Sequence, residues 1–324
     1  IVPLLIVTGI SGNIINLSVL LDGSMRTRSN TLLAWLAMTD IFFLLCMIPH
    51  SLATYSTFAS SFSFRVVYLS YKLNLLGMLN WASVSAIWLV LLVCLERLLA
   101  IRWPLLARSR PRLSLSCLLP GIFIFTGLLT AYNHFSYHCA IKYFCNGTQP
   151  HSVCLHQDSE VFMVQESVES NGEVFRLIAR WNPLLHALVG VLLPILLVAA
   201  SNVALILTIR QRSDREQEIV SSCSDGLACA QRVEQKVTLT VTAIVTSFSI
   251  TQGPSAVVFV IAAFWPHVVT ALSLSTCLVV LGKTLNFVLF CMSSGSFRVR
   301  LLQKTRLLRR QTTRSVMDGQ AASR

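Results

Sequence analysis

One apolar stretch decides the fold of this chain: TLLAWLAMTDIFFLLCMIPHSLATYST, residues 31–57, whose only formal charge is Asp40. A second stretch is VVTALSLSTCLVVLGKTLNFVLFCM, residues 268–292, and its only formal charge is Lys283. A run of roughly 20 mostly apolar residues is long enough to cross a bilayer as a helix. Because an ionisable group inside hydrocarbon is costly, such groups are usually paired and functional. Asp40 and Lys283 therefore mark a candidate site inside two membrane spans.

The whole composition is that of a membrane protein. Of 324 residues, 54% are hydrophobic and 12% are charged, whereas soluble domains carry roughly 25% charged residues. We recognise no internal repeat, no second domain and no signal peptide, and since the chain begins with Ile1 rather than Met we expect its natural N-terminus to be missing. Seven stretches are long and apolar enough to span a bilayer. They cover residues 1–22, 31–57, 67–101, 113–133, 183–209, 236–263 and 268–292.

These stretches predict an all-α membrane protein: a seven-transmembrane helix bundle over residues 1–295, followed over residues 296–324 by a short amphipathic cytoplasmic helix and a tail. Lys and Arg concentrate on the cytoplasmic side of membrane proteins. With the N-terminus outside, the inner loops and the tail hold 20 of the 26 basic residues. We therefore predict a plasma-membrane protein with an extracellular N-terminus and a cytoplasmic C-terminus. Its basic side suits membrane lipid and an acidic protein partner, and nucleic-acid binding is not expected.

The longest outer loop, between spans four and five, contains Cys139, Cys145 and Cys154. An odd number leaves at least one of them without a partner in the loop. We favour a disulfide between Cys145 and Cys154, which would close a short hairpin in an oxidising compartment. Asn146 begins an Asn-Gly-Thr sequon and is a predicted glycosylation site. Carboxylates further along the loop predict either a solvated surface or an acidic vestibule that attracts cations.

Short motifs in six of the spans resemble, in their order, the rhodopsin-like (class A) family of G-protein-coupled receptors. Each motif alone is weak, but the set extends over almost the whole chain. The resemblance implies a receptor that transmits extracellular ligand binding to a heterotrimeric G protein by outward movement of span six. The motifs are Gly12-Asn13, Leu36-Ala37-Met38-Thr39-Asp40, Glu96-Arg97-Leu98, Pro104-Leu105, Pro194, Phe248 with Pro254, Asn286-Phe287-Val288-Leu289-Phe290 and Phe297.

The resemblance implies an activation latch at the inner face. In the family, an acidic residue near the start of span six pairs with the arginine at the inner end of span three, and activation opens the pair. Glu234 has that place relative to Arg97, and Glu96 lies beside the arginine. An exposed ion pair contributes only about 0–1 kcal/mol, so the latch would bias a two-state equilibrium. The alternative is that these are ordinary interfacial charges.

The resemblance also implies a polar cluster at mid-membrane, formed here by Asn13, Asp40, Lys283 and Asn286. In many members of the family the span-two aspartate binds a sodium ion. Lys283 lies one helical turn before Asn286 on the same face, and Ala86 replaces a serine that commonly helps to hold the ion. We predict that the Lys283 ammonium replaces sodium and pairs with Asp40. The alternative is that Lys283 extends into a water-filled cavity.

The chain departs from the family where activation is usually controlled. Lys72 replaces the cysteine that ties span three to the outer loop, and Gln252 replaces an aromatic residue of span six. Phe287 replaces the proline that kinks span seven, and Asn202 replaces a tyrosine of span five. Span six can still move about Pro254, because proline removes a backbone hydrogen bond and creates a flexible point.

The upper halves of spans three, five, six and seven are the expected ligand cavity. Leu79 stands where amine receptors carry an aspartate, which argues against amines. Segments such as Ile48-Pro49-His50-Ser51 resemble invertebrate neuropeptide receptors, including the FMRFamide-like group. That resemblance implies a peptide ending in Arg-Phe-amide, whose guanidinium would meet the loop carboxylates. A chemosensory receptor for a small molecule is the alternative within the same fold. The predicted lining residues are Lys72, Leu75, Leu79, Asn80, Ser83, Gln252, Phe259 and Thr276.

Three other classes fit the sequence less well. A retinal protein also uses a span-seven lysine, but Lys283 lies about one turn deeper than the lysine of animal opsins. A transporter or channel would place charges at mid-membrane, yet the repeats and broken helices of transporters are not evident. No nucleophile motif or phosphate loop indicates an enzyme, and His134, His138 and Cys139 are not expected to bind a metal. We predict no cofactor and no metal site.

Overall fold

The computed structural model of the protein describes residues 2–23, 27–103, 114–156, 171–219, 246–255, 257–258, 261, 269–293 and 299–303. Two of the predicted functional residues, Glu234 and Phe259, lie outside this set, and so do the loop carboxylates from Asp158 to Glu169. The described part of the chain is a bundle of long helices that carries one outer β-hairpin.

Helices α1 to α7 correspond to the seven predicted spans. Among the described residues, five candidate spans are long and apolar enough to cross a membrane: Val2–Leu20, Arg28–Leu52, Phe62–Arg102, Leu115–His134 and Arg180–Thr208. Ser273–Leu285, inside α7, is a shorter apolar helix. The bounds are Val2–Leu20 for α1, Arg28–Leu52 for α2, Phe62–Arg102 for α3 and Leu115–Thr130 for α4. Helix α5 consists of three consecutive segments: Asn171–Leu185, the π-helical turn His186–Leu192, and Leu193–Ile219. Helix α6 is described over 246–255, and α7 is Val269–Ser293.

Helix α3 is central to the bundle, since it contacts α2, α4, α5 and the hairpin. Its 41 residues make it about 60 Å long, roughly twice the hydrocarbon thickness of a bilayer, so one end projects beyond the membrane as the length of span three predicted. Trp81 Nε1 donates to the carbonyl oxygen of Phe123 on α4 at 3.0 Å. The hydroxyls of Ser85 and Thr126 lie 2.7 Å apart. These polar contacts hold α3 and α4 together within the membrane.

The apolar core consists of two clusters of buried side chains. Along α2, Leu36 and Ala37 precede Asp40, and Phe43 and Leu44 follow it, so the buried charge falls between the inner and the outer cluster. Residues 299–303 are helical, and Leu301 packs against the inner cluster; the amphipathic helix over the rest of 296–324 stays a prediction. The inner cluster includes Leu32, Leu33, Leu89, Val90, Val198 and Phe248, and the outer cluster includes Ile6, Leu44, Met47, Leu79 and Val280.

The loop between α4 and α5 forms an antiparallel hairpin of β1, Tyr137–Phe144, and β2, Gln149–His156. Its register places Cys139 opposite Cys154, and these two residues form the disulfide. The prediction that Cys145 pairs with Cys154 is therefore wrong, because Cys145 lies in the exposed turn beyond the last paired residues of the ladder. Asn146 is exposed in the same turn, with a φ of 55°. The sequon is thus accessible at the tip of the hairpin.

The hairpin rests on the outer end of α3. A guanidinium nitrogen of Arg65 lies 3.1 Å from Nδ1 of His151 on β2. The ring of Phe62 lies 6.3 Å, centroid to centroid, from that of Tyr143 on β1. The only described disulfide lies within the hairpin and does not link it to α3. The hairpin is therefore attached to α3 by side-chain contacts.

Candidate functional site

Asp40 of α2 and Lys283 of α7 meet in the centre of the bundle. Nζ of Lys283 lies 2.7 Å from Oδ1 of Asp40, and the side chains are only 3% and 1% exposed, respectively. The ammonium also lies 4.6 Å from the centroid of the Phe43 ring, within cation–π distance. Nδ2 of Asn13 donates to the backbone carbonyl of Lys283 at 3.1 Å, which joins α1 to the pair. The predicted contact of Lys283 with Asp40 is present; the side chain of Asn286 lies outside the described set, and its role stays a prediction.

Three consecutive residues of α7 each face a different helix. A methyl group on Gly282 would collide with the Thr251 side chain of α6, so glycine permits the two helices to approach closely. Lys283 pairs with α2. The hydroxyl of Thr284 donates to the carbonyl of Leu5 on α1 at 3.0 Å. This segment of α7 therefore connects α1, α2 and α6 at one level of the membrane.

The ammonium of Lys283 places a cation that belongs to the protein itself beside Asp40 at mid-membrane. Burying two charges is costly, and a close contact between them offsets part of that cost; Nζ and Oδ1 are 2.7 Å apart, and the Phe43 ring lies beside the ammonium. Lys283 has its ammonium engaged by the Asp40 carboxylate. It is also absent from the described lining of the outer cavity.

An outer cavity of about 300 Å³ lies between α2, α3, α5, α6 and α7. Ligand pockets in proteins measure roughly 300–1,000 Å³, so this cavity is at the small end of that range. Its walls are largely apolar, with residues such as Phe43, Met47 and Leu76. None of the described lining residues carries a formal charge at neutral pH. The polar residues that line it are His50, Asn80, Ser83, His186, Gln252, Ser255, Ser275 and Thr276.

Five of the eight predicted ligand-site residues line this cavity: Leu79, Asn80, Ser83, Gln252 and Thr276. Two others do not. Lys72 and Leu75 of α3 are not among the described lining residues, and their role in ligand binding stays a prediction. The eighth, Phe259, lies outside the described residues.

Two histidines of the lining were missed. The Nδ1 atom of His50 on α2 lies 2.8 Å from the hydroxyl of Tyr68 on α3. The Nδ1 atom of His186 on α5 lies 3.0 Å from the hydroxyl of Tyr132. Neither pair is visible in the sequence, because the partners belong to different helices and no spacing rule relates them. Their only sequence signal is a histidine inside or beside an apolar run.

The inner end of α3 carries an ion pair that was not predicted. Oε1 of Glu96 lies 2.7 Å from Nε of Arg28, at the first residue of α2. Arg97, which follows Glu96, is half-buried. Because Glu234 lies outside the described residues, the latch between Glu234 and Arg97 stays a prediction. The structure adds that Glu96 contacts α2.

One departure on α5 makes a new contact. Nδ2 of Asn202, which stands where the family has a tyrosine, donates to the hydroxyl of Thr246 on α6 at 2.8 Å. Gln252, which replaces an aromatic residue, is buried and lines the cavity. Both substitutions therefore put amide side chains where α6 meets its neighbours.

This helical bundle, with its outer cavity and its acidic residue and arginine at the inner end of α3, has the architecture of a seven-transmembrane receptor of the G-protein-coupled type. The crystal structure of squid rhodopsin matches with a TM-score of 0.63, covering 95% of this chain and 84% of that chain. At 17% identity this match establishes the fold alone.

Residues 1–296 match the family described as serpentine type 7TM GPCR chemoreceptor Srw, and the chain belongs to this family. A Caenorhabditis elegans protein named "Putative G-protein coupled receptor F59B2.13" is 46% identical over 324 residues, which cover 98% of this chain and 75% of that protein. The family implies an extracellular ligand and a G protein as partners, and a multi-pass membrane location. This family match does not show the predicted likeness to neuropeptide receptors.

Separate removal of Asp40 and Lys283 should be more damaging than their joint replacement. Asp40→Leu or Lys283→Met alone leaves one buried charge without its partner, which typically costs about 3–5 kcal/mol, whereas replacing both by apolar residues is often close to neutral. Thermal unfolding of the purified receptor in nanodiscs measures the effect. A double variant that is no more stable than the worse single variant would contradict the pairing.

Signalling should be insensitive to sodium as long as Lys283 is present. Basal nucleotide exchange on a co-expressed G protein would be compared in sodium chloride and in choline chloride at equal ionic strength. Lys283→Ser removes the internal cation beside Asp40, and exchange should then depend on sodium. Lys72→Ser, at the outer end of α3, is the matched control and should stay insensitive. An unchanged sodium response in Lys283→Ser would exclude the substitution of sodium by lysine.

Proposed function

We propose that this protein is a chemosensory receptor of the plasma membrane, with its N-terminus outside, that binds a small molecule in the outer cavity and activates a heterotrimeric G protein. The observation that carries the proposal is the cavity of about 300 Å³ with its mixed apolar and polar lining. The description of the family as chemoreceptors supports it. A volume at the small end of the pocket range favours a compact ligand.

The lining favours an uncharged ligand with hydrogen-bonding groups. A charged molecule that leaves water for this cavity would lose its hydration, and the described lining offers no opposite formal charge in return. The carboxamides of Asn80 and Gln252 and the hydroxyls of Ser83 and Thr276 can each donate and accept hydrogen bonds. Apolar walls would supply most of the affinity, and these polar groups would supply the specificity.

The packing of α6 on α7 offers a route from ligand to signal. Gln252 lines the cavity, and its side chain also lies beside Gly282, the residue before Lys283. A ligand that displaces Gln252 would therefore change the contact between α6 and α7. Since the ion pair holds α7 to α2, we propose that α6 is the helix that moves. Pro254 supplies a flexible point in α6, and outward movement of its inner end would uncover Arg97 to the G protein.

A peptide ligand is the second candidate, and the outer hairpin favours it. Tyr137, Tyr143 and Phe144 of β1 are each about half exposed. An exposed aromatic surface of this kind would be used by a ligand that extends beyond the cavity. An amidated C-terminus is neutral and would suit Asn80 and Gln252 in the cavity. A glycan on Asn146 would stand at the tip of the same hairpin.

A ligand screen tests the proposal. The full-length chain would be expressed with promiscuous G proteins and exposed to two panels, neutral compounds of small volume and amidated neuropeptides. We expect small neutral compounds to activate it, and we expect Ser83→Leu, which fills the cavity, to lower their potency at least tenfold. Ser70→Leu, on the exposed face of α3, is the control and should leave potency unchanged. A response confined to amidated peptides would establish the second candidate instead.

The latch at the inner face is tested without any ligand. Glu234→Lys would replace attraction to Arg97 by repulsion, so ligand-independent signalling should rise by up to about fivefold, the equivalent of an exposed pair worth about 1 kcal/mol. Basal signalling is measured at matched surface expression. If charge reversal leaves basal signalling unchanged while the receptor reaches the cell surface in equal amount, the proposed latch is wrong.

A further inference from the structure

A short 3-10 turn, Ala131–His134, follows α4, and Tyr132 in it contacts α5. Its hydroxyl lies 3.0 Å from Nδ1 of His186, and the two residues are 6% and 2% exposed. The hydroxyl of Ser136, itself buried, donates to the backbone carbonyl of Tyr132 at 2.7 Å and fixes the turn. On α5, a methyl group on Gly190 would lie 2.9 Å from Cδ2 of His186, so glycine in the π-helical turn leaves room for the imidazole.

The next residue of the same turn contacts α3. Oδ1 of Asn133 accepts a hydrogen bond of 3.1 Å from Nδ2 of Asn80. Nδ2 of Asn133 donates to the backbone carbonyl of Thr130 at 2.8 Å, which orients the amide. The two contacts use both ends of the Asn133 carboxamide. The carboxamide of Asn80 is thereby held at the cavity wall.

The turn is also set into a notch on α3. Nδ1 of His134 lies 3.1 Å from Oδ1 of Asn74. A side-chain carbon on Gly77 would occupy the position of the His134 imidazole, so the histidine fits because residue 77 is glycine. The turn is thus anchored to α3 at two points and to α5 at one.

The turn lies behind the cavity wall. Asn80 and His186 line the cavity, whereas their partners Asn133 and Tyr132 are not among its described lining residues. Moreover, Lys72 stands in place of the cysteine that would tie α3 to the outer loop, and the hairpin disulfide joins β1 only to β2. Polar contacts of the turn therefore join the outer ends of α3, α4 and α5.

We propose that Tyr132 and Asn133 are positioning residues that orient His186 and Asn80 at the wall of the cavity and thereby set its ligand preference. In a neutral imidazole one ring nitrogen donates and the other accepts, so the bond at Nδ1 of His186 determines the role of Nε2. The hydrogen bond from Asn80 to Asn133 likewise engages Nδ2 of Asn80 and so sets the orientation of its carboxamide. The consequence for ligands rests on the proposed function, but the orientation of the two side chains does not.

Nitrogen-15 NMR of histidine-labelled, full-length receptor in nanodiscs tests the first contact without ligand or G protein. His186→Gln assigns the resonances. We expect Tyr132→Phe, which keeps the ring and removes the hydroxyl, to change the shift difference between the two nitrogens of His186. Tyr68→Phe should change His50 and leave His186 unaltered. Tyr71→Phe, at a residue that is 59% exposed on α3, should change neither. An unaltered His186 signal in Tyr132→Phe would overturn the assignment.

The second contact is tested through the shape of the cavity. Ser83→Cys introduces a thiol into the lining, and mass spectrometry of the peptide that contains it measures its rate of reaction with methyl methanethiosulfonate, a small neutral reagent. We expect at least a threefold change of rate in Asn133→Ala and in Tyr132→Phe, and none in Tyr71→Phe. Asn80→Ala combined with Asn133→Ala should match Asn80→Ala alone, because Asn133 acts on the cavity through its bond to Asn80. Rates equal to that of the parent, or two effects that add, would contradict the positioning role.

Discussion

The contact between Asp40 and Lys283 is the interaction on which the centre of this protein depends. Neither charge is tolerated alone in hydrocarbon, so the bundle must bring α2 and α7 together at this level. The residues on either side of Lys283 reinforce that requirement, since Gly282 allows α6 to approach and Thr284 bonds to α1. The segment of α7 that carries the buried charge of Lys283 therefore contacts α1, α2 and α6.

This central attachment has a consequence for movement. A helix held by a buried ion pair is costly to displace, whereas α6 meets α7 at glycine and α5 through the contact of Asn202 with Thr246. The outer cavity lies directly against this boundary, because Gln252 and Val279 both line it. The cavity therefore borders both α7, which the ion pair holds to α2, and the described part of α6.

On the outer side of the bundle, a disulfide and side-chain contacts hold the β-hairpin in place. The hairpin closes on itself through Cys139 and Cys154, and it is attached to α3 by contacts such as that of Arg65 with His151. The short spacing in the sequence favoured Cys145 with Cys154, but the pairing depends on which residues the ladder places opposite each other. Once the register is known, Cys139 is the partner, and Cys145 belongs to the turn.

Hydropathy and charge placed the spans, their order and the two buried charges, because a bilayer penalises every unsatisfied polar group regardless of the details of packing. The expectation that the upper halves of the spans line a cavity located five of its residues, and a family motif located the arginine at the inner end of α3. Tertiary structure alone decided the disulfide, the ion pair of Arg28 with Glu96 and the two histidines oriented by tyrosines. Each of these joins residues from different elements, and their distance depends on helix rotation, tilt and strand register. The sequence pattern leaves those quantities open, and side-chain packing in the folded bundle determines them.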